Sequence, residues 1–98
     1  MALVGTIWKG TFGGASLQIE FLPPNSIGNQ LKVTHPKVNG GLPYTSYYSV
    51  YGSGVLFASP YQGVPTTISY FGCLYNNELR GLGWQSTWLQ LYWKATKQ

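Results

Sequence analysis

The amino-acid sequence predicts an all-β domain, specifically an eight-stranded antiparallel up-and-down barrel, on three observations. The first is composition: only 8% of the residues are charged, 16% are aromatic and 13 are glycine. A disordered chain has many charges and few aromatics, and a helical bundle is rich in Ala, Glu, Lys and Leu, so neither class fits. The second is rhythm, with short runs of β-formers broken by Gly, Pro and Asn at roughly the 8–12-residue spacing of a sandwich or barrel. The third is the closing stretch, Thr66 to Thr96, where three β-rich runs are separated by two very short breaks. One break is Asn76-Asn77, and Asn tolerates the positive φ that a two-residue type I′ hairpin requires. With 98 residues, the chain is long enough for one core, so residues 1–98 form a single domain.

The elements follow in order. Leu3 to Phe12 is the first run, with Trp8 and Phe12 on one parity and Ile7 on the other. Gly13-Gly14 then offers a tight turn, because glycine reaches positive φ without steric cost. Ala15 to Leu22 alternates cleanly, Leu17, Ile19 and Phe21 against Gln18 and Glu20, the pattern of a half-buried strand. The loop from Pro23 to Asn29 cannot continue a ladder. Gln30 to His35 forms a third strand with Leu31 and Val33 inward, and His35 is held extended by Pro36. A second loop runs from Pro36 to Pro43. Tyr44 to Tyr51 is a strand by its Tyr, Thr, Ser and Val content. Gly52-Ser53-Gly54 turns it back into Val55 to Ala58, and a loop from Ser59 to Pro65 leads to the closing meander.

No connection contains a crossover helix, so sequential strands pair antiparallel. Eight such strands close into a barrel that removes both unpaired edges, with a β-sandwich as the alternative. In the last strand Trp88 and Tyr92 share one parity, while Leu89, Leu91 and Trp93 share the other. A strand apolar on both faces is covered on both sides. In a small barrel the second cover is another copy of the chain or a flanking loop, of which the copy is the reading taken. The expectation is therefore a homo-oligomer formed through Trp88, Leu89, Leu91 and Trp93.

The net charge of +4 arises from scarce acids, since there is no Asp and only Glu20 and Glu78 are acidic. The basic residues Lys9, Lys32, Lys37, Arg80, Lys94 and Lys97 are scattered rather than clustered. Cys73 is the only cysteine, so no intramolecular disulfide forms, and a lone Cys in a β-run is expected as a small buried hydrophobe. The first residues lack the basic and apolar regions of a signal peptide, and no stretch approaches the about 18 apolar residues of a membrane helix. A soluble, cytoplasmic protein without membrane association is the expectation.

Gly5-Thr6-Ile7-Trp8 resembles the Gly-x-Trp opening of the lipocalin and avidin (calycin-type) barrels, with one extra residue between Gly and Trp. Tyr70-x-Gly72, Leu79-x-Gly81 and a final strand carrying Trp88, Leu89 and Leu91 are similar to the closing hairpins of those families. The resemblance implies an eight-stranded barrel holding a small, largely apolar ligand, often as an oligomer. It also implies that the first-strand Trp8 caps one end beside a basic residue, Arg80 or Lys94. The polar biotin-binding set of avidins has no residue-by-residue counterpart, so biotin itself is not implied.

Catalysis has little material. The only histidine, His35, has no Asp to orient it, and a dyad with Cys73 would require a chance meeting in space. Glu20 and Glu78 read as solvent-facing, and His35, Cys73, Glu20 and Glu78 lack metal-ligand spacing. No phosphate-binding glycine loop precedes a helix. The chain is expected to be no enzyme and to carry neither metal nor cofactor. Binding has more material, because Trp and Tyr rings present an apolar face and a polar tip. Such rings either fill a barrel, whose interior at eight strands just accommodates side chains, or line a small-ligand site. Trp8, Tyr48, Tyr70, Trp84 and Gln90 are the candidate ligand-binding residues in the lumen or at its mouth, with Ser46, Thr67 and Ser69 as orienting groups.

Three function classes follow. The leading one is non-enzymatic binding of a small, apolar or ring-shaped ligand by an oligomeric barrel. The second is a nucleic-acid or anionic-partner binder, with aromatics stacking on bases and Lys32, Lys37 and Lys94 tracking phosphates. The third is a structural or interaction protein, of the kind found as a viral or mobile-element accessory. Its mark would be a barrel plugged by its own side chains.

Overall fold

The computed structural model describes residues 3–34, 43–60, 67–85 and 89–98. The strands are β1 (Ile7–Phe12), β2 (Ala15–Phe21), β3 (Asn29–Thr34), β4 (Tyr44–Tyr51), β5 (Gly54–Pro60), β6 (Thr67–Tyr75), β7 (Glu78–Gln85) and β8 (Leu89–Lys97). They form a closed barrel in chain order, each antiparallel to the next. Closure is made by β8 against β1, with Trp8 opposite Lys97 and Phe12 opposite Trp93. The expected up-and-down barrel is thus observed, and the sandwich is not. Every strand finds two neighbours, so no strand among the described residues is an edge strand along its whole length.

One hairpin departs in detail from the sequence reading, and another is as expected. At Asn76-Asn77 only Asn76 has positive φ, 57°. That is the sign pattern of a II′ turn rather than the expected I′. Gly13 and Gly14 both have positive φ, 55° and 88°, so the expected tight turn between β1 and β2 is present and carries the I′ pattern. The first run is also shorter than expected. Gly5 (φ 84°) bends the chain, Thr6 N–H donates to the Leu3 carbonyl at 3.1 Å, and Gly5 N–H donates to Phe21. This folds Leu3 back onto the core, where it is buried.

Alternation decides what faces inward. Trp8, Phe12, Phe21, Tyr48, Phe57, Tyr70 and Trp93 all belong to the buried core, interleaved with Leu17, Ile19, Leu31, Val33, Val55, Ile68 and Leu79. The rings meet in two groups. Phe21 receives Trp8 and Tyr48 edge-on, at centroid distances of 6.5 and 5.0 Å. Tyr70 stacks on Phe57 at 4.9 Å and meets Phe12 at 5.1 Å and Trp93 at 5.9 Å edge-on. These offset and edge-to-face geometries suit the ring quadrupole and add about 0.5–1.5 kcal/mol per pair beyond burial.

So many rings fit because the facing walls are stripped of side chains. A methyl added at Gly72 would collide with the Trp93 indole, and one added at Gly83 would lie 2.5 Å from Phe12 Cε1. At Gly10 and Gly81 it would meet the main chain of the adjoining strand. The Trp93 indole N–H donates to the Phe71 carbonyl at 3.3 Å, and the Trp8 indole N–H donates to Thr6 Oγ1 at 2.8 Å. Both buried donors are therefore satisfied, which removes the cost of placing indoles in an apolar interior.

Candidate functional site on the outer wall

The five residues expected to form a ligand site divide between the two faces of the wall. Trp8 is 2% exposed, Tyr70 0% and Tyr48 7%, and all three are locked in ring contacts inside the barrel. Trp84 and Gln90 stand on the outer face, opposite each other in the β7–β8 register, with Ser69 opposite Trp84 on β6. Trp84 is half-buried and Gln90 exposed. Of the orienting groups, Ser69 lies beside Trp84, Ser46 is half-buried opposite Leu31 on β3, and Thr67 is exposed.

Several expectations need correction. Trp93 is 2% exposed, so its apolar cover is the barrel's own core and not a second copy. Leu91 lies under Gly13 and is 37% exposed, Leu89 opens β8, and Trp88 lies outside the described residues, as does His35. Cys73 is exposed rather than buried, because Gly72 takes the inward position on that part of β6. Trp8 stands inside the wall while Arg80 and Lys94 stand outside it, so these basic residues do not make the Trp8 cap that the calycin resemblance implies.

A groove lies on the outside, where β1, β7 and β8 adjoin. It has a volume of about 710 Å³ and is lined by Thr11, Gly13, Gly14, Arg80, Gly81, Leu91, Tyr92, Trp93 and Lys94. Its origin is local. The Gly13-Gly14 turn carries no side chains, so the space beside Tyr92 stays empty, while Gly13 N–H donates to the Tyr92 carbonyl at 3.0 Å and fixes the turn to β8. Tyr92 is 81% exposed, the most exposed aromatic ring among the described residues. Two residues along β8, Lys94 shares the outer face and faces Arg80 on β7 and Thr11 on β1. The rim is thus cationic and the wall aromatic.

A smaller hollow of about 210 Å³ adjoins it, lined by Tyr75, Asn76, Asn77, Glu78, Arg80 and Thr96. Arg80 belongs to both. Its guanidinium donates to Glu78 Oε2 at 2.7 Å and lies over the Tyr75 ring at 5.5 Å. That hydrogen bond is the main reason the Glu78 carboxyl is held below its ordinary range, with the Arg80 and Lys94 charges adding to it, while Arg80 itself is held further toward its charged form. Glu20 is engaged by Lys32 at 3.7 Å on the β2–β3 wall. Both acidic side chains of the sequence are therefore occupied, and among the described residues Lys9, Lys94 and Lys97 have no side-chain carboxylate bonded to them.

Sequence reasoning placed Lys94 and Arg80 only in supporting parts and gave Tyr92 no site role. The usable signal was parity: once Trp93 points inward, Tyr92 and Lys94 must both point outward, beside a turn without side chains. Among the described residues no group of His, Cys, Asp and Glu is arranged to hold a metal. Comparison with known protein families, with characterised proteins and with solved structures finds no match.

Proposed function

We propose that this chain is a non-enzymatic binding barrel whose ligand is held on the outer wall, in the groove beside Tyr92. The ligand class is a molecule that presents a flat ring and a negative group. One observation carries the reading: seven aromatic rings (Trp8, Phe12, Phe21, Tyr48, Phe57, Tyr70 and Trp93) fill the interior, whereas an exposed ring and two cations border open space outside. A phenol face offers stacking, the Arg80 and Lys94 charges offer anion contacts, and the Thr11 hydroxyl offers a further donor. These groups hold a ligand; they do not pair a nucleophile with a base. On this reading the avidin and lipocalin likeness extends to the barrel and not to a lumen site.

The test is calorimetric titration with 8-anilinonaphthalene-1-sulfonate, an aromatic anion with a flat naphthalene face. The expected result is saturable binding that weakens about tenfold on Tyr92→Ala, the loss of roughly 1.4 kcal/mol of stacking and contact. Binding that Tyr92→Ala and Lys94→Glu both leave unchanged would overturn it.

A second reading is favoured by the outer row Leu56, Phe71, Leu82 and Tyr92, which are register partners across β5 to β8. A plugged barrel with such a row suits an interaction protein, including one that pairs with its own copy. Native mass spectrometry separates the two readings, since self-association disrupted by Leu82→Glu would support the second.

A further inference from the structure

We infer that the natural occupant of this outer wall is single-stranded nucleic acid, an inference that rests on the groove being a binding site at all. The observation that deepens it is that the wall holds two hollows and not one, each beside an exposed tyrosine, with a cation common to both. Tyr92 borders the larger hollow and is 81% exposed; Tyr75 borders the smaller and is 65% exposed. Arg80 lines both.

The register sets their separation. Tyr92 is opposite Leu82, which is opposite Phe71, and Tyr75 lies four residues further along β6. At about 4.8 Å between strands and about 3.3 Å per residue, the two tyrosine backbones are roughly 16 Å apart along the wall. A mononucleotide occupies one hollow only. A short strand fills both, with its bases on the tyrosines and its phosphates between them.

Charge lies where those phosphates would run. Lys94 and Arg80 occupy the outer row between the tyrosines, and Lys9 stands in the next row, opposite Thr96 on β8. Glu78 is the one acid on this wall, and it is engaged by Arg80. Three cations against one acid leave the face positive. Stacking platforms alternating with cations are the means by which proteins hold single strands without reading sequence, since every base has a π-face. A duplex keeps its bases stacked inside and offers none to a tyrosine.

The experiment is fluorescence anisotropy with a labelled oligodeoxythymidylate of about ten nucleotides, within the range of site sizes for small β-barrels. The same protein is titrated in parallel with anilinonaphthalene sulfonate. Three phosphate contacts would give a log–log slope against salt of about −2, and Lys94→Glu would make it shallower by about 0.7. Tyr92→Ala and Tyr75→Ala would each weaken the oligonucleotide about five- to 150-fold. Both side chains are exposed, so their loss leaves the core intact, checked by an unchanged urea midpoint. Sulfonate binding without oligonucleotide binding would overturn the nucleic-acid inference and leave the binding groove standing. Equal affinity for a duplex of the same length, or indifference to Tyr75→Ala, would also overturn it. Failure of both ligands would remove the groove as well.

Discussion

Replacing Gly83 by Ala tests whether the barrel interior is as full as the packing implies. Gly83 faces inward on β7, and a methyl there would lie 2.5 Å from Phe12 Cε1 and 3.2 Å from Cδ1 and Cζ. Phe12 is 1% exposed and already held edge-on against Tyr70, so the ring has little room to retreat. Two effects oppose each other. Alanine restricts the unfolded chain more than glycine does, which in a strand favours the variant by about 0.5–1 kcal/mol. Overpacking a full core costs about 1–3 kcal/mol. Overpacking wins, and a net loss of roughly 1–2 kcal/mol is expected. In a domain of this size that lowers Tm by roughly 5–15 °C. The assay is urea unfolding followed by Trp fluorescence, with calorimetry alongside. Gly28→Ala is the control, since a methyl there meets nothing closer than Tyr47 Cδ1 at 3.7 Å. Phe12→Leu in the Gly83→Ala background would recover part of the loss, a coupling of about 1 kcal/mol. A Gly83→Ala protein as stable as the parent, or strict additivity in the double variant, would refute the filled interior and reopen the lumen as a ligand site.

Two further expectations concern the turn and the buried phenol. At Asn76 (φ 57°), Asn76→Ala is expected to cost about 1 kcal/mol by urea titration, because a Cβ without a local hydrogen-bonding group disfavours left-handed backbone, while Asn76→Gly stays within about 0.5 kcal/mol of the parent. Burial raises the Tyr48 phenol above its ordinary pKa, so its contribution to stability is complete below about pH 10 and is lost as pH rises through the folded-state value. Tyr48→Phe should flatten that alkaline loss in urea midpoints measured between about pH 8 and 11.

The fold was legible because period-2 alternation and turn chemistry agree along the chain. Leu17, Ile19 and Phe21 against Gln18 and Glu20 assign β2 without tertiary information, and Asn76-Asn77 and Gly13-Gly14 mark hairpins that the structure contains. Alternation is silent where both parities are aromatic. In β8, Tyr92 and Trp93 look alike by sequence, and the gap at Gly72 decides between them. The Trp93 indole needs the space over Gly72, so Trp93 turns inward and Tyr92 outward. A one-residue difference in that assignment exchanges every side chain of the strand between core and surface. For that reason Trp93, expected at an interface between copies, lies in the core instead.

The charged face was illegible for a different reason, which is topological. Lys9 and Lys94 lie near opposite ends of the sequence, so the bases read as scattered. Closure of β8 onto β1 puts Thr11 beside Lys94 and Lys9 beside Thr96, and the β7 pairing adds Arg80 to the same wall. Adjacent outward residues on a strand are about 6.6 Å apart and strands about 4.8 Å apart, so Lys94 lies about 5 Å from Arg80 and about 8 Å from Lys9, each within roughly one Debye length at physiological salt, while Lys9 and Arg80 are about 12 Å apart. On the β2–β3 wall, by contrast, Lys32 and Glu20 cancel locally. The net charge of +4 is therefore unevenly spread: one wall is neutral while the wall with the groove is positive. Folding is what concentrates the charge: the β7–β8 pairing sets Arg80 beside Lys94, and closure of the sheet adds Lys9. Breaking closure at β1–β8 would separate Lys9 from Lys94 while leaving the composition untouched, which is why the full positive charge of this wall belongs to the barrel and not to any segment of it.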